Sequence, residues 1–430
     1  MIDFTLRIAM AVPDWSPQTG GGTSFQEAVF KAFASTPNSR SLKKVFLVTS
    51  RSALEKAHYH YKLMHEDIVI VLPSKAREAT FMLDKLVARP LKRIISSRAG
   101  LSGKQQWVDK IIKEHADILW SINPFILSTS IPSVSTIWDI QHRLLPFFPE
   151  FEDYSAWVDR EEWNQKQTER SMLIVTGTEA GKKEVCSAYA VNPERVYVNP
   201  LPITTEHVQL QVDYCEDFIN KHDIGTNFIL YPAQFWPHKN HINLLLAYRL
   251  ASLGEQRPKL VFTGSDKGNA SYVRKAIDQL RISNDVRILG FVSNKELAAL
   301  YSKACCLCFP SFFGPDNLPP LEAMLYGLPV ITADIQGAKE QYGSSALYFD
   351  PRDPNDIAKK IEAVFTDEST REMLIKNGKD LVRARTPNAY VSNVINRLIE
   401  YRSYLVNFPK FSERMTYDSS LGPMGALNYH

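Results

Sequence analysis

Residues 310–330, PSFFGPDNLPPLEAMLYGLPV, concentrate the residue types that phosphate and sugar chemistry needs. The stretch follows an apolar run, passes through a loop rich in Gly, Pro and Asn, and opens a helix near Pro320. A helix start presents unpaired amides and a partial positive charge, which suits a diphosphate. Glu322 falls in the first turn. With phosphate at that end, its carboxylate must reach sideways, to hydroxyls such as a ribose offers. The plain alternative is a capped loop with an acid at the helix start. Residues 231–241, YPAQFWPHKNH, also follow an apolar run. Lys239 there is either a point-charge ligand for phosphate or a solvated surface lysine.

Two further segments carry candidates. PDWSPQTGGGTSF places Gly20, Gly21 and Gly22 between a strand and a helix, where bare backbone lets an anion or sugar approach, or merely makes a flexible loop. In WDIQHRLLPFFPEF (138–151), Asp139 and His142 stand three residues apart after a strand end. They are an acid–base or substrate-orienting pair, or a loop aspartate and a histidine satisfied by backbone. Phe147, Phe148 and Phe151 are read as loop packing, with stacking on a bound substrate as the alternative. Of the five cysteines, Cys305, Cys306 and Cys308 crowd one strand-like run without a following His pair, so buried core positions are expected instead of a metal site.

These candidates need a scaffold that brings loops together, and the apolar runs supply one. Short runs at 6–12, 44–50, 67–72, 117–122, 133–139, 173–178 and 196–203 alternate with helical or polar stretches. A second alternation runs through 227–234, 259–264, 286–292, 305–311, 328–334 and 346–350. Such alternation predicts an α/β chain of parallel sheets covered on both faces. Ser293 with Glu296 reads as a capping box opening the helix of KELAALYSKA. The expected organisation is an N-terminal domain over 1–205, a linker over 206–226, a C-terminal domain over 227–385, a crossing-back helix over 386–405 and a tail over 406–430. Two doubly wound domains facing a cleft place ligands beyond the carboxyl ends of the strands.

The 430 residues, 44% hydrophobic and 23% charged, suit a soluble globular chain. Neither a secretory leader nor an apolar run of about 20 residues is evident, so a cytoplasmic protein is expected, at most peripheral on the inner face of the cell membrane. The net charge of +3 hides a local excess: residues 75–113 hold ten Lys/Arg against three Asp/Glu. Apolar Leu86, Val87, Leu91, Ile94 and Ile95 interleave there, giving either a basic surface for anionic lipid or a solvated helix-loop-helix face. No nucleic-acid partner is expected.

Most of the chain, and most densely residues 227–332, resembles glycosyltransferase family four, the group 1 retaining GT-B enzymes, and within it a bacterial polysaccharide-type subgroup. Pro310, Ser311, Leu318, Pro319, Glu322, Ala323, Gly327, Pro329 and Val330 fall on the family pattern, as does the Lys239-Asn240 pair. The resemblance implies two Rossmann-like domains. The C-terminal one would hold a nucleotide sugar: the base near Phe291 and Val292 with Gly264 close by, the ribose on Glu322, and the diphosphate on Lys239 and the amides of Asn317 and Leu318. The N-terminal domain would bind the acceptor, with Gly21 and Gly22 near the reacting centre and Asp139 and His142 positioning it.

Departures are Gly314 where the family has its first glutamate, Asn317 for its second glycine, Gln234 for an arginine, and Trp138-Asp139 for a His-Asp pair. Asp316 is the candidate substitute for the missing carboxylate, Asn317 for the left-handed backbone, and His142 for the lost histidine. The function implied is retaining transfer of a sugar, with a mannose-type GDP-sugar favoured, to a glycan or lipid-linked glycan, without metal or other cofactor. The alternatives are an epimerase or phosphorylase on the same fold and a non-catalytic nucleotide-sugar-binding partner.

Overall fold

Among the described residues fourteen short strands, mostly runs of apolar and β-branched residues, form two sheets. The structure is a computed structural model that describes residues 5–12, 21–48, 53, 68–71, 94–95, 112–122, 131–152, 154–203, 212–254 and 257–405. The first sheet holds β1 (Leu6–Ala11), β2 (Leu42–Val48), β3 (Ile68–Val71), β4 (Ile94–Ile95), β5 (Ile118–Ser121), β6 (Ser133–Thr136), β7 (Ser171–Thr176) and β8 (Val196–Val198), in the order β4-β3-β2-β1-β5-β6-β7-β8. The second holds β9 (Phe228–Pro232), β10 (Lys259–Thr263), β11 (Val286–Ile288), β12 (Cys306–Phe309), β13 (Val330–Ala333) and β14 (Ala346–Phe349), in the order β11-β10-β9-β12-β13-β14. Every pairing is parallel, for example Ile8 with Ile118 and Leu230 with Leu307. Central strands are covered on both faces, so β9 and β12 are buried along their whole length. In each sheet the order reverses once, beside β1 and beside β9.

Two differences from the sequence reading have physical causes. Ile94 and Ile95 pair with Val69 and Ile70 as an edge strand, not as part of a helical face. The rest of 75–113, apart from Lys113 and Ile112, lies outside the described residues. The expected linker contains a helix, Val212–Lys221, whose Phe218 and Ile219 enter the C-terminal core. Interspersed acids over fewer than three turns hid its period. Cys306 and Cys308, two positions apart and therefore on one face of β12, are buried as expected, whereas Cys305 is half-buried. Burial raises both thiols.

The last helix belongs to the first domain by packing. Helix α1 (Gly21–Ser35) and helix α2 (Pro387–Leu405) lie together, with Tyr390, Val391, Val394, Ile395 and Leu398 in the same cluster as Leu6, Phe25 and Phe33. Each such side chain is worth about 1.5–3 kcal/mol when removed from water. Asn199 ties the seam, donating to the Tyr390 carbonyl at 3.0 Å and accepting from Asn393 at 3.1 Å. A second tie crosses the domains: the Glu340 carboxylate accepts from the amides of Glu179 and Ala180, at 2.5 and 3.1 Å, where the helix Glu179–Tyr189 begins. A carboxylate at a helix start is electrostatically favoured. The expected capping box is present, with Ser293 and Glu296 bonded reciprocally.

Candidate functional site

Loops that leave the carboxyl ends of both sheets enclose a cavity of about 380 Å³ between the domains. That volume lies within the range of small-ligand pockets. The N-terminal domain contributes Gly22, Phe25, Trp138, Asp139 and Gln141, all after β1 or β6. The C-terminal domain contributes Gln234, His238 and Lys239 after β9, Gly264 after β10, Phe291 and Val292 after β11, and Gly314, Asp316, Asn317, Leu318 and Glu322 after β12. Leu318 packs against both hydrophobic cores, so the motif loop is also an interdomain contact. Gly20 lies outside the described residues, and Gly21 begins α1.

Lys239 is the cationic centre. Its carbonyl accepts from the Tyr231 hydroxyl at 2.6 Å, and Asn240, at φ +59°, donates to the carbonyls of Pro310 and Pro351. The loops after β9, β12 and β14 are thereby fixed to one another. The ammonium touches only neutral groups, Ser311 Oγ at 3.4 Å and Asn317 Oδ1 at 3.3 Å, and burial lowers its pKa to about 8. Among the described residues no carboxylate pairs with it. An anion is what such a site lacks. Gln234 beside it is held by a bond from Trp236 Nε1 to its Oε1 at 3.0 Å.

The motif loop keeps its turn by other means than expected. Gly314 has φ +122°, and a Cβ there would lie 2.5 Å from the Asn317 Oδ1. Asn317 does not have positive φ; its side chain folds back instead and donates to the Gly314 carbonyl at 2.7 Å. The left-handed conformation assigned to Asn317 therefore sits on Gly314, and the amide of Asn317 occupies the space that a side chain at 314 would need. The helix Pro319–Leu325 begins with two prolines, which carry no N–H, so the amides of Asn317 and Leu318 just before it remain the expected donors at this end. Glu322 is half-buried, desolvation raises its pKa, and its Oε2 accepts from Tyr301 at 2.8 Å.

Asp316 lines the cavity and faces the other domain: a Cβ on Gly177 would lie 2.0 Å from its Oδ1. Among the described residues neither carboxylate oxygen makes a well-aligned hydrogen bond, although the Gly177 amide lies near. Burial pushes its pKa up to about 8, with the Gly177 amide and Arg385 pulling the other way. A rise in this direction favours the protonated carboxyl, which can donate to a hydroxyl.

Asp139 lines the cavity, but its charge is already engaged by Arg160 at 3.0 and 3.2 Å and by the Gln141 amide at 3.0 Å. His142 does not project into the cleft; that expectation is corrected. The ring is fully buried, with Nε2 3.0 Å from Glu161 Oε2 and its edge against Trp157. Glu161 also accepts from Arg143, Gln165 and Tyr189, and the Arg143 bond holds it at about 2. Burial keeps the His142 ring neutral. This cluster pins the 138–150 segment onto its supporting helices. The four-residue helix Gln141–Leu144 turns His142 inward and leaves Gln141 at the cavity wall.

Sequence reasoning missed His238, Glu150 and Tyr301. His238 immediately precedes Lys239, so its position was the available signal. Its Nδ1 is hydrogen-bonded to Glu150 of the N-terminal domain.

Residues 216–381 match the family model of glycosyl transferases group 1. The C-terminal domain is a group 1 glycosyltransferase domain. Curated relatives include the O-antigen chain mannosyltransferase B of Escherichia coli, 25% identical over 252 residues, covering 56% of this chain and 66% of that protein. The O-antigen chain mannosyltransferase RfbU of Salmonella typhimurium is 28% identical over 184 residues, 43% of this chain and 48% of that protein. These alignments span about half to two thirds of the relatives' lengths. Among solved structures, Anabaena HepE (Alr3699) in complex with UDP and glucose superposes with TM-score 0.66 at 15% identity, over 92% of this chain and all of that one. WaaG, a glycosyltransferase involved in lipopolysaccharide biosynthesis, gives TM-score 0.59 at 14% identity, over 91% and 99%. The two-domain fold is GT-B. Among the described residues, no helix is long and apolar enough to cross a membrane, and no group of three or more His, Cys, Asp or Glu is placed to hold a metal ion.

Proposed function

We propose that the protein is a retaining glycosyltransferase that moves a hexose from a nucleoside diphosphate sugar to a hydroxyl of a glycan or lipid-linked glycan. The observation that carries the reading is the Lys239 ammonium, half-buried without a carboxylate partner in a cavity both domains line. A diphosphate supplies the missing charge. Glu322 then serves the ribose, Phe291 and Val292 flank the base, and Gly264 allows the close approach of the neighbouring loop, where any Cβ would lie 2.3 Å from the Ala233 carbonyl. Asp316, protonated, bonds hydroxyls of the transferred sugar in place of the absent glutamate. The relatives named as mannosyltransferases favour a GDP-mannose donor.

In this reading Lys239 and loop amides balance the leaving diphosphate, the task a divalent cation performs elsewhere. The leaving diphosphate takes the acceptor proton on the face it departs from, which retains the anomeric configuration. Asp139, bound to Arg160, orients the acceptor side of the cavity. Peripheral membrane contact through the basic stretch 75–113 belongs to the same proposal and would bring a lipid-linked acceptor to the cleft.

The deciding experiment is a thermal-shift panel of GDP, UDP, CDP, ADP and dTDP sugars in the presence of EDTA, followed by product NMR with the best donor. A ligand at a hundredfold excess over its Kd stabilises by about 2.7 kcal/mol. A shift with one nucleotide and a product of unchanged anomeric configuration is expected. An inverted product removes the retaining mechanism, and loss of all turnover in EDTA removes metal independence. Binding without acceptor-dependent release of the nucleotide makes the protein a non-catalytic binder.

A further inference from the structure

His238 is a cavity residue that the donor site sketched above leaves without a task. Its Nδ1 is hydrogen-bonded to Glu150 Oε1, and Glu150 sits on the turn Pro149–Phe151 of the opposite domain. Burial raises the Glu150 carboxyl, but the bond from His238 together with backbone amides of Glu150 and His238 outweighs it, and the net shift favours the ionised form. An ionised carboxylate only accepts, so the His238 proton must be on Nδ1. Nε2 then carries the lone pair, and among the described residues no hydrogen bond engages it. Burial and the Lys239 ammonium hold the ring neutral against the pull of Glu150.

The surroundings make this arrangement a joint between domains. The Phe148 ring lies 6.1 Å from the His238 ring and 6.0 Å from that of Phe312. The Phe312 amide donates to the His238 carbonyl at 2.9 Å. Gln141 Nε2 approaches the same Glu150 oxygen at 3.4 Å.

A nitrogen lone pair repels phosphate oxygens and takes the proton of a hydroxyl. We propose that His238 recognises a hydroxyl of the transferred sugar through Nε2, with Glu150 as the positioning residue supplied by the opposite domain. This rests on the nucleotide-sugar reading of the cavity. The consequence is that sugar recognition, unlike diphosphate binding at Lys239, is complete only when the two domains stand together.

The test compares a nucleoside diphosphate with its sugar conjugate, GDP and GDP-mannose as the first pair, by calorimetric titration of wild type, His238→Phe and Glu150→Gln. Phenylalanine keeps the ring and removes the nitrogen. His238→Phe is expected to leave the GDP Kd within about threefold and weaken GDP-mannose at least about tenfold, the size of one lost hydrogen bond in a closed site. Glu150→Gln, whose amide oxygen still accepts from Nδ1, should lose affinity for GDP-mannose in the same direction but by less. Equal losses for both ligands would assign His238 to the diphosphate or to folding and overturn the proposal, as would unchanged GDP-mannose binding in both variants. If the wild type prefers another nucleotide, the same comparison is made with that pair. Wild type that binds no nucleoside diphosphate removes the underlying reading, an outcome visible before any variant is compared.

Discussion

Replacing Lys239 by methionine should have two opposite effects, because the ammonium that attracts a diphosphate is costly to bury while none is bound. Its pKa falls from the ordinary 10.5 to about 8, with burial as the cause. At about 1.4 kcal/mol per tenfold change, that shift is about 3 kcal/mol against the native state. Solvent screening of the half-buried chain reduces it to about 1–2 kcal/mol. The sign follows from linkage: the folded pKa lies below the unfolded one, so the native state bears the full cost below about pH 8. The cost disappears as pH rises to 10.5, where both states lose the proton. Methionine fills similar space without charge. Ligand-free Lys239→Met should therefore be more stable than wild type near neutral pH by about 1–2 kcal/mol, with the gap closing towards pH 10.5. Nucleoside diphosphate binding should weaken by about 1.5–3 kcal/mol, the worth of a hydrogen bond to a charged group. Urea unfolding at the two pH values and a titration with the preferred nucleoside diphosphate read both effects. A variant no more stable than wild type that binds within about threefold would refute the reasoning.

Three further outcomes follow from the same geometry. Asp316 holds its proton up to about pH 8 in the folded protein and only to 3.8 when unfolded, so wild-type stability should fall across that window and Asp316→Asn should flatten the fall; parallel urea-midpoint profiles for the two proteins would exclude it. Gly177→Ala puts a Cβ 2.0 Å from Asp316 Oδ1, so it should destabilise the protein, and adding Asp316→Ala should restore at least about 0.5 kcal/mol. A double variant no better than Gly177→Ala alone would place the strain elsewhere. His142→Phe should cost about 1–3 kcal/mol of stability through Glu161 while turnover at saturating donor stays within a few-fold; a turnover loss of about a hundredfold in a folded variant would return His142 to the reacting centre.

The sequence alone determined the sheet-forming runs and the loops that carry the site. Apolar strands covered on both faces are legible as continuous runs, which is why β9 and β12 coincide with the runs at 227–234 and 305–311. Parallel order fixes the carboxyl ends of those strands as the side where ligands gather, so Lys239 and Glu322 could be named from position. Local signals were too weak for the helix Val212–Lys221 and the two-residue strand β4, each identified by what it packs or pairs with. Tertiary structure decided what one-dimensional spacing cannot. Asp139 and His142 share a segment, yet a single short turn sends one to the cavity and the other to Glu161. Asp316 against Gly177, and Glu150 beside His238, join residues more than eighty positions apart. Their charge states are set by burial between two domains, and no local spacing encodes that.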